Sequence, residues 1–447
     1  MKTTTTKILI LFLIFSLLFT GIFTLNPLAK SPNVPDTSKA EYVFLYNVNT
    51  DKMIYSKNTT QKMFPGSTVK LMTGLIICEK FADKLDEKVT ITQEMIALST
   101  GWNIKLEEGM IVTVKDLLYG MLCGGGNDAT IALAILCSGS VDNFVHDMND
   151  KAKSLKLKNT LYTNPTGLDD PSMYSTVSDI IILSKEAYKN DLYLEISSAM
   201  SYAYTPQGTN NEIKIFNRNA LISNFYTIGY RNLNAYGLIS GNTSLGGYCT
   251  VTYSEKNGTG YLCGAMNAQI NSDNIYSYSI VNSLLDYAFD NYSYVKIAQK
   301  DEFICTINTR YALPDNKKEV LIRCVILDDV YTLTNNDLNI EKDIEYRPYL
   351  HTEYLKAPVE AGMIVGGVDI LYDDEVIGNA FLVTENSIEA SKLLLILNDL
   401  KSFFSGRFFI LSLCFSIIGV LIYSRIHILL LRKNRRKNKN LSKRFYE

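Results

Sequence analysis

The last forty residues constrain this chain most. Phe408–Leu431 is an apolar run of 24 residues, which as a helix would reach roughly 36 Å, enough for a bilayer core of about 30 Å. Arg425 and His427 interrupt only its final turns, where long polar side chains can reach back to the interface. Arg432 to Glu447 then carries eight Lys/Arg against one Glu. A basic segment abutting an apolar span reads as a transmembrane helix, residues 408–431, with a cytoplasmic tail, residues 432–447. The body of the chain is therefore expected to fold on the extracytoplasmic side. The other end agrees: Lys2 and Lys7 precede the apolar run Ile8–Leu25, an export signal or uncleaved anchor over residues 1–29, followed by a Pro-containing linker over 30–39.

Charge narrows the function of that body. The net charge of −2 becomes −9 once the tail's surplus of seven is set aside, which argues against nucleic acid as a partner. The three histidines, His146, His351 and His427, form no two-histidine cluster with the acids near them, Asp142, Asp147, Asp150 and Glu353. No metal site and no cofactor are expected, and a histidine-based hydrolase is disfavoured. Of the eight cysteines, Cys78, Cys123, Cys137 and Cys263 sit in apolar runs and read as small buried hydrophobes; Cys414 lies in the span, and Cys305 could pair with Cys324.

The pattern of elements predicts an α/β (α+β) layer fold. Tyr42–Asn47 and Met53–Ser56 form an opening hairpin, and the apolar spacing Leu71, Leu75, Cys78 predicts a helix from about Ser67 to Phe81. Thr113 with Asp116, and Thr176 with Asp179, are capping boxes in front of further helices, and Asn127–Cys137 is another. Tyr248–Glu255 and Tyr261–Ala268 read as a hairpin across Asn257-Gly258. The texture then changes to alternating segments, Phe303–Asn308, Glu319–Leu327, Met363–Leu371 and Glu375–Leu382, which predict a separate β-rich domain over residues 293–386. A connecting helix over 387–407 leads into the span.

Chemistry concentrates at one helix start. Ser67-Thr68-Val69-Lys70 puts a hydroxyl and an amine three residues apart, on one helical face. In a chain this short of histidine, a lysine whose amine is kept neutral by burial is a workable base for a serine nucleophile. The spacing alone is a weak signal, since Ser293-Tyr294-Val295-Lys296 shares it. By its position, Asn127 reads as a helix N-cap.

The surroundings carry more information. Phe64 to Leu75, Val114 to Met121, Gly126-Asn127-Asp128-Ala129 and Asn164-Pro165-Thr166-Gly167-Leu168-Asp169-Asp170-Pro171 occur in an order that resembles the serine D-Ala-D-Ala carboxypeptidases, the low-molecular-mass penicillin-binding proteins. The resemblance runs over residues 40–290 and implies a penicillin-binding/β-lactamase-like domain, followed by a small all-β domain and a C-terminal transmembrane helix. It implies Ser67 as nucleophile, Lys70 as general base, Asn127 in a second motif, and backbone N–H groups near Ser67 and Ser240 as the oxyanion hole. The implied partners are peptidoglycan stem peptides, trimmed of their terminal D-Ala, and β-lactam antibiotics as acylating ligands.

Two of the three family motifs are altered. Gly125-Gly126-Asn127 stands where Ser-Gly-Asn is expected, so a hydroxyl is missing. Gly237-Leu238-Ile239-Ser240-Gly241 stands where Gly-x-Lys-Thr-Gly is expected, so Ile239 takes the position of the family lysine, with Ser240 and Gly241 beside it in the substrate-binding segment. The lost lysine would have held the substrate's carboxylate, at a cost of about 2–5 kcal/mol. Arg218, Arg231 and Lys256 are candidate replacements. An alternative follows from these changes: a catalytically impaired member of the fold that binds wall peptide or a partner.

Overall fold

The computed structural model describes residues 33–313, 320–336 and 338–444, so the expected export signal, residues 1–29, lies outside the described residues. The chain divides into two compact units, one reaching Tyr294 and including Leu333–Asn336, the other comprising the rest.

The first unit opens with strands β1 (Ala40–Asn47) and β2 (Lys52–Lys57), then helix α1 (Val69–Phe81), β3 (Lys88–Thr90), α2 (Gln93–Ala97), β4 (Ile111–Thr113), α3 (Val114–Leu122), α4 (Asn127–Ser138) and α5 (Val141–Ser154). It continues with α6 (Val177–Lys189), α7 (Asp191–Ser198), β5 (Ser201–Tyr204), β6 (Ile213–Phe216), β7 (Ala235–Thr243), β8 (Gly247–Lys256), β9 (Thr259–Ala268) and α8 (Tyr276–Asn291). The antiparallel sheet runs β2-β1-β9-β8-β7 and brings the first and last strands of the unit into its middle. Strand β1 is buried on both faces, which is why Tyr42–Tyr46 is apolar throughout. Val43 and Leu45 pack with Val281, Leu284 and Leu285 of α8, while Tyr42 and Phe44 pack with the helical block. The β8–β9 turn needs positive φ at both central residues, and Asn257 and Gly258 adopt 53° and 77°.

Helix α1 lies inside the helical block. Its Val69, Leu71, Met72, Leu75, Ile77, Cys78 and Phe81 are all buried, the mark of a helix covered on every side. Of the two predicted capping boxes, the one at α3 closes fully: Thr113 Oγ1 accepts from Asp116 N at 3.1 Å and Asp116 Oδ2 from Thr113 N at 2.7 Å. At α6 only half forms. Thr176 Oγ1 accepts from Asp179 N, but Asp179 Oδ2 accepts instead from Asn159 N and Thr160 Oγ1, fastening the preceding loop.

The second unit is β-rich. Strands β10 (Phe303–Arg310), β11 (Val320–Ile326), β12 (Ile344–Leu350), β13 (Tyr354–Lys356), β14 (Ile364–Tyr372) and β15 (Glu375–Thr384) form a sheet in the order β12-β14-β15-β11-β10-β13. Its core holds Ile307, Ile322, Cys324, Val368, Ile370 and Leu382. Cys305 and Cys324 face each other across β10 and β11 as free thiols. The connecting helix is shorter than expected over 387–407. Val359 and Ile388 exchange N–H···O bonds of 2.9 and 2.8 Å, and Ser391 N donates to Tyr311 O, so the backbone there is already committed to pairing. Helix α9 (Lys392–Ser405) starts after Ser391 as cap, and α10 (Arg407–Arg444) follows the break at Gly406. Within α10, Arg407–Lys433 is long and apolar enough to cross a membrane.

Candidate active site

Chain order separates the parts of the site, and the fold gathers them around one cavity of about 240 Å³. It is lined by Ser67, Lys70, Asn127, Thr166, Arg218, Ser240 and Gly241, among others. Ser67 lies in a tight turn, Gly66–Thr68, that leads into α1, and Thr68 Oγ1 closes that turn by donating to Pro65 O at 2.6 Å. Lys70 follows on the first turn of α1 and is 4 % exposed. Its Nζ donates to Asn127 Oδ1 and to Thr166 O, both at 2.8 Å.

Each of these partners is itself fixed. The Asn164–Leu168 loop is folded around the Asn164 side chain, whose Oδ1 accepts from Thr166 N and Gly167 N and whose Nδ2 donates to Leu168 O. Thr73 Oγ1 pins the same loop to α1 by donating to Pro165 O at 2.7 Å. Gly167 has φ +80°, and a Cβ there would meet Gly66 O at 2.0 Å, so only glycine lets the loop lie this close to the Ser67 turn. Asn127 is not the cap of α4. Gly126 holds that position, and Asn127 Nδ2 donates to Thr100 O at 2.7 Å while its oxygen serves Lys70. Asn127 thus stands at the Lys70 amine and not at the cap.

Burial decides the state of the amine. Desolvation, with the positive charge of Arg218 as the second cause, lowers the Lys70 pKa from 10.5 to about 7. A lysine in this range is neutral often enough at physiological pH to accept a proton. Among the described residues the Ser67 hydroxyl forms no hydrogen bond, and it lies against the strand wall: a Cβ on Gly241 would come within 2.3 Å of its Oγ. Ser240 and Gly241 of β7 thus line the cleft as the sequence suggested.

Ile239 does not. It is 3 % exposed and belongs to the helical-side core with Leu238, Val251 and Leu262. Of the three candidate cations, Arg231 is exposed beside Met200 Sδ, and Lys256 is exposed with its Nζ 5.8 Å from the Phe289 ring centroid. Arg218 alone of the three lines the cleft. Sequence reasoning missed Trp102, whose indole lies 3.9 Å under the Arg218 guanidinium, and the Thr166 carbonyl on Lys70. A backbone carbonyl leaves no signal in side-chain identity, and a solitary tryptophan carries none without its neighbours.

Residues 28–270 match the family model described as D-alanyl-D-alanine carboxypeptidase. The chain belongs to the D-alanyl-D-alanine carboxypeptidase family. Residues 292–390 of this carboxypeptidase-family chain match the model for the C-terminal domain of penicillin-binding protein 5. A D-alanyl-D-alanine carboxypeptidase of Bacillus subtilis is 29% identical over 348 residues, covering 76% of this chain and 84% of that protein. One from Haemophilus influenzae is 27% identical over 366 residues, covering 79% and 86%. Among solved structures, penicillin-binding protein 5 from Haemophilus influenzae superposes with a TM-score of 0.60 at 26% identity, over 80% of this chain and 99% of that one. The α/β domain followed by an all-β domain is thus the family's arrangement.

Proposed function

We propose that the chain is a membrane-anchored serine-type D-Ala-D-Ala carboxypeptidase that removes the terminal D-Ala from peptidoglycan stem peptides through an acyl-enzyme. The observation that carries this reading is the buried Lys70, with a pKa lowered to about 7, in the same cavity as Ser67. Lys70 takes the Ser67 proton as Oγ attacks the penultimate carbonyl, and Asn127 holds the amine in place. Backbone N–H groups near Ser67 and Ser240 stabilise the oxyanion. The C-terminal D-Ala leaves with a proton returned to its nitrogen, and water then hydrolyses the ester on Ser67. A β-lactam takes the same attack and leaves Ser67 acylated. The span in α10 anchors the chain, with the catalytic unit extracytoplasmic and the basic tail cytoplasmic.

Two observations favour a second reading, a binding protein with impaired turnover: Gly125 provides no hydroxyl at the second motif, and Ile239 is turned into the core. One experiment separates the two. Incubating the full chain in detergent with a labelled penicillin and a stem pentapeptide is expected to give an adduct on Ser67 by mass spectrometry and release of D-Ala. An unmodified Ser67 together with intact pentapeptide after long incubation would leave only the binding reading.

A further inference from the structure

We propose that Cys305 and Cys324 are a disulfide site, joined across β10 and β11 once the β-rich unit is exported, so that β10 is covalently stapled to its neighbour. The inference goes beyond the reaction at the cleft and uses only the extracytoplasmic placement of this unit. Register sets the geometry. Cys305 and Cys324 stand directly opposite in the antiparallel β10–β11 pair, as do Ile307 and Ile322. Opposite Cα atoms in such a pair lie about 4.5–5.5 Å apart, inside the roughly 4.4–6.8 Å that a disulfide spans.

Residues two apart on a strand share a face, and Ile307 and Ile322 both belong to the core, so the two thiols point to that same face. The irregularity in the pairing falls between Phe303 and Cys305, away from the isoleucine pair, and leaves the alternation from 305 to 307 intact. Cys324 is fully buried in the core, and Cys305 packs half-buried against it. Other buried cysteines are placed differently: the thiols of Cys123, Cys249 and Cys263 donate to the carbonyls of Ala199, Gly246 and Val281. Among the described residues no other two cysteines stand opposite each other in a sheet.

The site has an entrance. On its other edge β10 pairs with β13 only through Asn308, Thr309 and Arg310, so among the described residues no strand covers that edge at Cys305. Burial raises the Cys305 thiol above its ordinary value and pushes the Cys324 thiol up to about 12, with the adjacent Cys305 sulfur as the second cause. The folded pair is therefore slow to ionise, and exchange starts at the more accessible Cys305. The oxidant is an external disulfide, carried by a thiol oxidase or a small molecule. Cys305 thiolate attacks one of its sulfurs and displaces a thiolate; deprotonated Cys324 then attacks Cys305 Sγ and displaces the second. One S–S bond forms in the protein and one breaks in the oxidant, which takes up two electrons, and both protons end on the released thiols. Once made, the bond lies against the core and away from reductants.

The test reads the bond and its effect separately. Membranes carrying the full chain are dissolved at harvest in denaturant with iodoacetamide, and digestion without reductant is expected to give one peptide pair joined through Cys305 and Cys324, about 2 Da lighter than the two free-thiol peptides. The full chain in detergent, reduced and then exposed to glutathione disulfide, is expected to regain the same pair. Reduction should lower the unfolding midpoint of the β-rich unit by roughly 10 °C. Cys305→Ala and Cys324→Ala should each unfold at one midpoint with or without reductant, a readout that a merely structural role of either side chain would not move. Alkylated Cys305 in the harvested chain, glutathione that stays on Cys305 without passing to a bond with Cys324, or a native midpoint that ignores reductant overturns the proposal. Penicillin labelling of Ser67 in the same samples reads the cleft by itself, so the carboxypeptidase reading and the disulfide can fail independently.

Discussion

On the helical side of the cleft, the amine of Lys70 and the groups that hold it are each fixed by a further group. Lys70 is held by Asn127 and Thr166, Asn127 by Thr100, and Thr166 by Asn164. On the strand side, β7 offers Ser240 and Gly241, while Ile239 packs into the core and no cation projects from the motif. The two walls do different work. Proton transfer needs a base at fixed distance and with a tuned pKa, so its parts must be kept together. Recognition of a ligand needs only complementary polar groups facing the right volume, a looser requirement.

The largest expected effect lies on the helical wall. Ser67→Ala should abolish penicillin adduct formation and lower D-Ala release by about 10⁶-fold, with unfolding unchanged. Lys70→Met should cost about 10²–10⁴-fold in acylation rate by stopped-flow or gel labelling. If the two variants differed little from the native chain, proton handling would not reside on this wall.

The base also sets a pH profile. Because the neutral amine is the active form, acylation should rise with pH, reach half its plateau near the Lys70 pKa of about 7, and fall about tenfold per unit well below it. The sign for stability follows from the same shift. Between pH about 7 and 10.5 the unfolded chain binds a proton that the folded chain does not, so stability should rise with pH across that window and lose this slope in Lys70→Met. A titration of unfolding free energy on both proteins reads it directly.

Smaller effects sharpen the strand wall. Gly241→Ala places a methyl 2.3 Å from Ser67 Oγ and should reduce acylation about 10²-fold with little change in unfolding temperature. Ile239→Ala should do the reverse: as a core residue it should cost about 2–5 kcal/mol in denaturant unfolding, with a lesser effect on acylation by the fraction still folded. A result in which Ile239→Ala changed acylation without changing stability would place position 239 in the cleft after all.

Much of this was legible in the linear order of residues. Helix α1 follows from its apolar spacing, the α3 cap from Thr113 and Asp116, and the β8–β9 turn from Asn257-Gly258, because each depends on interactions within a few residues. Ser67 and Lys70 are paired by the pitch of a single helix start. The misread details have a common origin. Asp179 serves a loop instead of its own helix, and residues 388–391 pair with distant segments instead of starting a helix.

By itself, then, the sequence determined the layer fold, the β-rich second unit, the apolar terminal span and the Ser-x-x-Lys pair, since local periodicity and spacing encode them. Only the tertiary structure decided which of three cations lines the cleft and that Lys70 is dry enough to lower its pKa. These depend on burial and on distances between segments far apart in the chain, such as Lys70 and Thr166, 96 residues apart, and free-energy terms of that kind are set by what surrounds a side chain in space and not by what precedes it in the chain.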